Sequence, residues 1–97
     1  MRKIDELFLE HERIWFYVGE EWKEAFFEEI LSRNARFQNG TLLKREDIGC
    51  FMGVGRDGTV GYVSYFVWYS SFGSPYARVK IDYRKYRLGA SDYIIMS

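Results

Sequence analysis

Thr59-Val60-Gly61-Tyr62-Val63-Ser64-Tyr65-Phe66-Val67-Trp68-Tyr69 is the stretch on which the fold turns. Apolar and aromatic residues occupy both alternating sets: Val63, Tyr65 and Val67 on one, Tyr62, Phe66 and Trp68 on the other. Such a run reads as a long strand covered on both faces, which predicts a central strand over 59–69. Just before it, Arg56-Asp57-Gly58 carries the Asp-Gly pair of a tight hairpin turn. That turn joins it to a short strand from Cys50 to Val54. Ser70 to Pro75 reads as a turn. Residues 76–83 then alternate, with Ala77, Val79, Ile81 and Tyr83 against Arg78, Lys80 and Asp82. Leu88-Gly89-Ala90-Ser91 is a further turn, and Tyr93 to Met96 a short last strand.

Upstream, the period changes. Ile4, Leu7, Phe8 and His11 fit the i, i+3, i+4, i+7 template, so a helix is expected over 3–12. Ile14-Trp15-Phe16-Tyr17-Val18 could extend that stripe. Its density of β-formers favours a strand over 13–18, with a helix as the alternative. Trp22, Phe26 and Ile30 repeat at i+4, which predicts a helix over 20–34. Glu20 and Glu21 suit its first turn, Glu29 and Arg33 pair at i, i+4, and Asn34 suits a left-handed cap. Asn39-Gly40 is a turn and 44–48 a polar loop. The expectation is one α+β domain over 1–97. It has one or two N-terminal helices packed on a mostly antiparallel four- to five-stranded meander sheet.

Composition narrows the function classes. The 97 residues are 47% hydrophobic and 29% charged, which is globular composition. Fourteen basic residues balance fourteen acidic ones. That excludes a polyanion-coating protein, which needs a basic excess, and equally an acidic nucleic-acid mimic. Aromatics reach 20%. A small domain has little core volume, and large rings fill it. No apolar run approaches the roughly 18 residues that span a bilayer. The early Asp5 and Glu6 argue against a signal peptide, and a reducing cytoplasm is the expected setting. One Cys, Cys50, forbids an internal disulfide. With one His, His11, it also makes a zinc site implausible.

Catalytic chemistry has little support. Gly53, Gly55 and Gly58 match G-x-G-x-x-G, but the dinucleotide fingerprint needs a helix next, and a strand is expected there. The glycines read instead as a turn and a bulge. Cys50 and His11 are the only nucleophile–base candidates, and both read as packed core residues. The carboxylates Glu20, Glu21, Glu24, Glu28 and Glu29 read as the solvated face of a helix, with no pocket. No metal-ligand spacing emerges, and no cofactor is expected.

Charge is distributed unevenly. Residues 1–48 carry eight basic and eleven acidic residues; 49–97 carry six and three. Within 76–88, Arg78, Lys80, Arg84, Lys85 and Arg87 stand against Asp82 alone, interleaved with Tyr76, Tyr83 and Tyr86. Basic groups beside aromatic rings suit a nucleotide, through phosphate pairing and base stacking. The plainer reading is a solvated strand whose charges discourage edge aggregation. Long nucleic acid fits less well than a small anion, because duplex binding takes about 6–10 phosphate contacts.

The order Trp15-Phe16-Tyr17-Val18, a helix, Arg36-Phe37-Gln38-Asn39-Gly40, Phe51-Met52-Gly53-Val54, Gly61-Tyr62-Val63-Ser64 and Trp68 resembles small proteins of phages and mobile elements of Gram-positive bacteria. Ile81-Asp82-Tyr83 and Asp92-Tyr93 fit the same pattern. None of these motifs is diagnostic of a chemistry. The resemblance implies a setting: small phage proteins of this size are often counter-defence factors. Some are anti-CRISPR inhibitors that bind protein, and others are sponges for signal nucleotides.

The expectation that follows is a non-enzymatic protein that sequesters a small anionic, nucleotide-like ligand. Arg78, Lys80, Arg84 and Arg87 would hold phosphates, and Trp68, Tyr69, Tyr83 or Tyr86 would stack on a base. The alternative is a protein-binding inhibitor of a bacterial defence enzyme, docking through aromatic surface and the acidic helix face. A homo-oligomer is expected, because so apolar a sheet face is rarely left open.

Overall fold

The computed structural model describes residues 2–72 and 79–96. Its centre is strand β1, Arg13–Tyr17, so 13–18 is extended and not helical. Ile14 and Phe16 are fully buried on one face, while Trp15 and Tyr17 point to the other. β1 has a neighbour on each side. It runs antiparallel to β3, Phe51–Gly55, and parallel to β5, Val79–Asp82. β3 pairs antiparallel with β4, Thr59–Tyr62, through the 56–58 turn, where Gly58 has φ +89°. A Cβ there would lie 2.7 Å from the Arg33 carbonyl oxygen, so the turn requires glycine. β2, Arg36–Phe37, adds parallel to β4, and β6, Ile94–Met96, adds antiparallel to β5.

The result is a mixed α/β domain with a six-stranded sheet in the order β2-β4-β3-β1-β5-β6. The expected antiparallel meander of four to five strands is only roughly met. Two of the five pairings are parallel: β1 inserts between β3 and β5 and runs with β5, and β2 adds to the outer edge of β4 and runs with it. Parallel neighbours need long connections, and here these contain both helical segments and other strands of the sheet.

One face of the sheet carries the main core. Ile14, Phe16, Met52, Val54, Val60 and Ile81 are buried there. A 3-10 helix, Ile4–Leu9, covers part of it with Ile4, Leu7 and Phe8, shorter than the helix expected over 3–12. The helix expected over 20–34 is a 3-10 turn, Glu20–Trp22, followed by α1, Lys23–Leu31. Asn34 is left-handed at φ 61°, as its position at the helix end predicts. Phe26 of α1 meets Phe16 edge to face at 5.3 Å.

The 59–69 stretch is where the sequence reading fails. Only Thr59–Tyr62 is strand; Tyr65–Ser70 is a helix, α2. Ser64 caps it, its Oγ accepting the Val67 N–H at 3.1 Å. Trp68 then stacks on Phe51 at 4.5 Å and faces Trp15 at 6.4 Å, on the second face of the sheet. Ring stacking across the sheet outweighs the β-propensity of the segment.

A second reversal lies at 83–87. After β5 the chain enters α3, Tyr83–Arg87, capped by Asp82, whose Oδ1 accepts the Lys85 N–H at 3.1 Å. Val79 and Ile81 face the core as the alternation requires. Lys80, expected in solvent, is fully buried, because α2 roofs that part of the opposite face. Cys50, expected in a buried strand, precedes β3 and is exposed.

Candidate functional site

The basic, tyrosine-rich segment does not assemble into one site. Tyr83 and Tyr86 are fully buried on the main-core face. Helical periodicity in α3 places Tyr83 and Arg87 together on Glu29 of α1. Glu29 Oε1 accepts the Tyr83 hydroxyl at 2.7 Å and Arg87 Nη1 at 3.0 Å. Its Oε2 accepts the Ile4 N–H at 2.7 Å. Burial and the Glu29 carboxylate push the Tyr83 phenol well above its ordinary range. The Tyr86 hydroxyl donates to the Lys3 carbonyl at 2.7 Å, and burial pushes its pKa up to about 12. Glu29, Tyr83, Tyr86 and Arg87 together hold the helical layer. Arg84 is exposed on α3, and Lys85 pairs with Asp92 at 2.9 Å. Arg78, and Tyr76 with it, lie outside the described residues.

Trp68 and Lys80 do meet, on the opposite face. The Lys80 ammonium lies 5.0 Å from the Trp15 ring, 5.6 Å from Trp68 and 4.7 Å from Phe72. Ring faces favour a cation, while desolvation lowers its pKa. Enclosed in this way, Lys80 anchors α2 to the sheet. Tyr69 lies on the outer side of α2, 53% exposed, with Phe51 and Tyr65 as ring neighbours.

The open part of this face is where the fold leaves space. Gly53 and Gly55 of β3 project toward it, and Gly61 of β4 stands opposite Gly53. Three missing side chains make a flat floor. The Arg13 side chain crosses it. A Cβ on Gly55 would sit 3.3 Å from Arg13 Nη1; on Gly53 and Gly61 it would sit 3.4 Å and 3.6 Å from Nη2. Backbone pairing across β1 and β3 is regular here, so Gly53 and Gly55 are not the bulge their spacing suggests. They make room for a guanidinium. The Trp15 ring borders the floor, 3.3 Å from a Cβ on Gly53.

Two clefts open beside Arg13 and share Arg13, Asp57 and Thr59 in their linings. One, of about 510 Å³, is completed by Glu12, Gly55 and Arg56; the other, of about 450 Å³, by Gln38, Val60 and Gly61. Both fall within the roughly 300–1,000 Å³ range of small-molecule sites. Asp57 Oδ1 accepts the Thr59 N–H at 3.0 Å and the Thr59 hydroxyl. These bonds, aided by the Arg13 charge, hold its carboxyl below the usual range. Oδ2 has no hydrogen-bond partner among the described residues. The Arg13 guanidinium likewise has no hydrogen-bonded acceptor among the described residues. Arg56 is held back, its Nε donating to the Phe8 carbonyl at 2.7 Å.

Sequence reasoning missed this site. The available signal was the two-residue spacing of Gly53 and Gly55, which puts both on one face of a strand. Arg13 gave none until β1 was known to lie beside β3.

His11 and Cys50 flank opposite ends of the β1–β3 pair, roughly 20 Å apart at about 3.3 Å per residue. Among the described residues no group of three or more His, Cys, Asp or Glu converges on a point that could hold a metal. Among them, too, no helix is long and apolar enough to cross a membrane. No protein-family model, curated protein or solved structure matches the chain.

Proposed function

We propose that the chain is a non-enzymatic binding protein that captures a small anionic, nucleotide-like molecule in the Arg13 clefts. One observation carries this reading. Arg13 extends over a floor of three glycines, has no hydrogen-bonded acceptor among the described residues, and lines an open cleft of ligand size. A guanidinium offers a fork of N–H donors suited to a planar or tetrahedral anion. The Asp57 carboxylate, which lines both clefts, suits a ligand hydroxyl, and the Trp15 border suits an aromatic base. An anion, hydroxyls and a flat ring together describe a nucleotide. In the phage setting that the resemblance implies, such capture would serve counter-defence by sequestration.

The runner-up, a protein-binding inhibitor docking through an acidic helix face, has less support. Glu20 is paired with Lys23 at 2.7 Å and Glu24 with Arg45 at 2.6 Å, which neutralises part of that face.

The test is a thermal-shift screen at low salt against signalling nucleotides, with wild type, Arg13→Ala and Arg13→Lys. A ligand at about 100 times its Kd stabilises by roughly 2.7 kcal/mol. In a domain this small each kcal/mol raises Tm by about 4–8 °C. The expected result is a shift with one nucleotide class that Arg13→Ala abolishes and Arg13→Lys reduces. A shift that Arg13→Ala leaves intact would sink the assignment; a flat panel beside a stable complex with a defence enzyme would transfer it to the runner-up.

A further inference from the structure

Helix α2 is built against the usual rule for a surface helix. Only Trp68 is buried; Tyr65 is 70% exposed, Phe66 77% and Val67 43%, alongside Tyr69. Phe72, just beyond the helix, is 41% exposed. Between Asp57 and Arg78 there are twenty consecutive residues with no Asp, Glu, Lys, Arg or His, in a chain that is 29% charged. A solvent-facing helix in so charged a chain would carry charges. This one carries rings.

We propose that α2 is a self-association surface on which a second copy of this chain sits. Area and charge both point to that occupant. At about 150–250 Å² per ring, the exposed parts of Tyr65, Phe66, Tyr69 and Phe72 offer roughly 400–600 Å² of apolar surface. A standard interface buries about 800 Å² per partner, somewhat over half of it apolar, so this patch supplies about what a dimer needs. Aromatic enrichment with charge depletion is also the composition of an interface core. A partner chosen by opposite charge would be met by charges, and no residue of α2 itself, Tyr65–Ser70, carries one. In a twofold dimer each residue near the axis meets its own image, and only an uncharged patch does so without repulsion. The patch shares a sheet face with the Arg13 clefts, but no residue of α2 lines them, so the two proposals are tested by separate variants.

Sedimentation equilibrium over a broad range of micromolar concentrations tests it. Wild type is expected at twice the 11.6 kDa chain mass. Phe66 is the ring on α2 with no ring partner among the described residues, so Phe66→Glu and Phe66→Lys should fold. Both should sediment as single chains with an unchanged far-UV spectrum. Leu9→Glu is the control: Leu9 is 82% exposed, on the layer across the sheet, and its variant should remain dimeric. A wild-type chain that stays at single mass overturns the proposal and leaves the patch to a different protein. So does a dimer that survives both Phe66 variants, or one that Leu9→Glu also breaks.

Discussion

A glycine in the middle of a strand is costly, because it orders a flexible backbone and contributes no side-chain packing. Gly53, Gly55 and Gly61 accept that cost on one patch of one face. Of the three, Gly61 is the informative position. A Cβ there would meet only Arg13 Nη2, at ordinary contact distance, and nothing else within 4 Å. The fold therefore has room for a side chain that the cleft does not. Gly61→Val should raise stability by about 0.5–1 kcal/mol, through strand propensity and lost chain entropy. The same branched side chain would lift the guanidinium off the floor, so the nucleotide-induced shift should fall sharply. Urea denaturation beside the ligand screen separates the two effects. A variant that is both stabilised and still fully responsive would show that the floor does not shape the site. The glycines were legible in the sequence, but their meaning was not. Two-residue spacing says that Gly53 and Gly55 share a face, whereas their use depends on Arg13, about forty residues away, lying in the neighbouring strand.

At the scale of elements, legibility depended on how many periods a segment could satisfy. β1 fits both periods, being apolar from Ile14 to Val18, and only its density of β-formers and the following Gly19 favoured a strand over a helix. The hairpin at Arg56-Asp57-Gly58 was readable because Asp-Gly has few other uses. The 63–69 segment satisfies any period, being apolar at nearly every position, and its outcome was decided by stacking on Phe51 and Trp15. The one local signal for helix was Ser64, and it carries a prediction. Removing a serine cap costs about 1 kcal/mol, whereas an alanine at an exposed strand position costs little. Ser64→Ala should therefore lower Tm by about 4–8 °C in a domain of this length. A neutral result would mean that the Val67 N–H bond to Ser64 contributes nothing to α2. The same logic explains α3. Asp82 reads as the solvated end of an alternating strand, yet its carboxylate starts a helix, and Tyr83 and Arg87 turn inward onto Glu29.

Across the whole molecule, the charge asymmetry of the sequence does not survive folding. Arg87 of the basic half pairs with Glu29 of the acidic half, while Arg33 and Asp5 pair within the acidic half, across the helical layer. A segment with a net charge of +4 in the sequence is thereby partly neutralised, while Arg13, which has no ion pair within salt-bridge distance among the described residues, lies in β1 at the other face. What joins the two ends of the chain is phenolic. Tyr86 donates to the Lys3 carbonyl 83 residues away, beneath the Arg2 guanidinium 4.3 Å from its ring centre. Burial favours the neutral phenol, so its folded pKa of about 12 lies above the ordinary value of 10.0. A raised folded pKa gives stability that is fully present below the unfolded value and lost as pH rises through the folded one. The domain should therefore weaken progressively between about pH 10 and pH 12, with the deeper Tyr83 deprotonating later still. Tyr86→Phe removes the titrating group along with the bond to Lys3. It should start less stable at neutral pH and show a flatter decline across that window. Urea midpoints measured by far-UV circular dichroism at a series of pH values check both. Equal slopes for wild type and Tyr86→Phe would mean that the alkaline transition belongs to another group, and that the closure of the N-terminal 3-10 helix onto α3 does not depend on the Tyr86 proton.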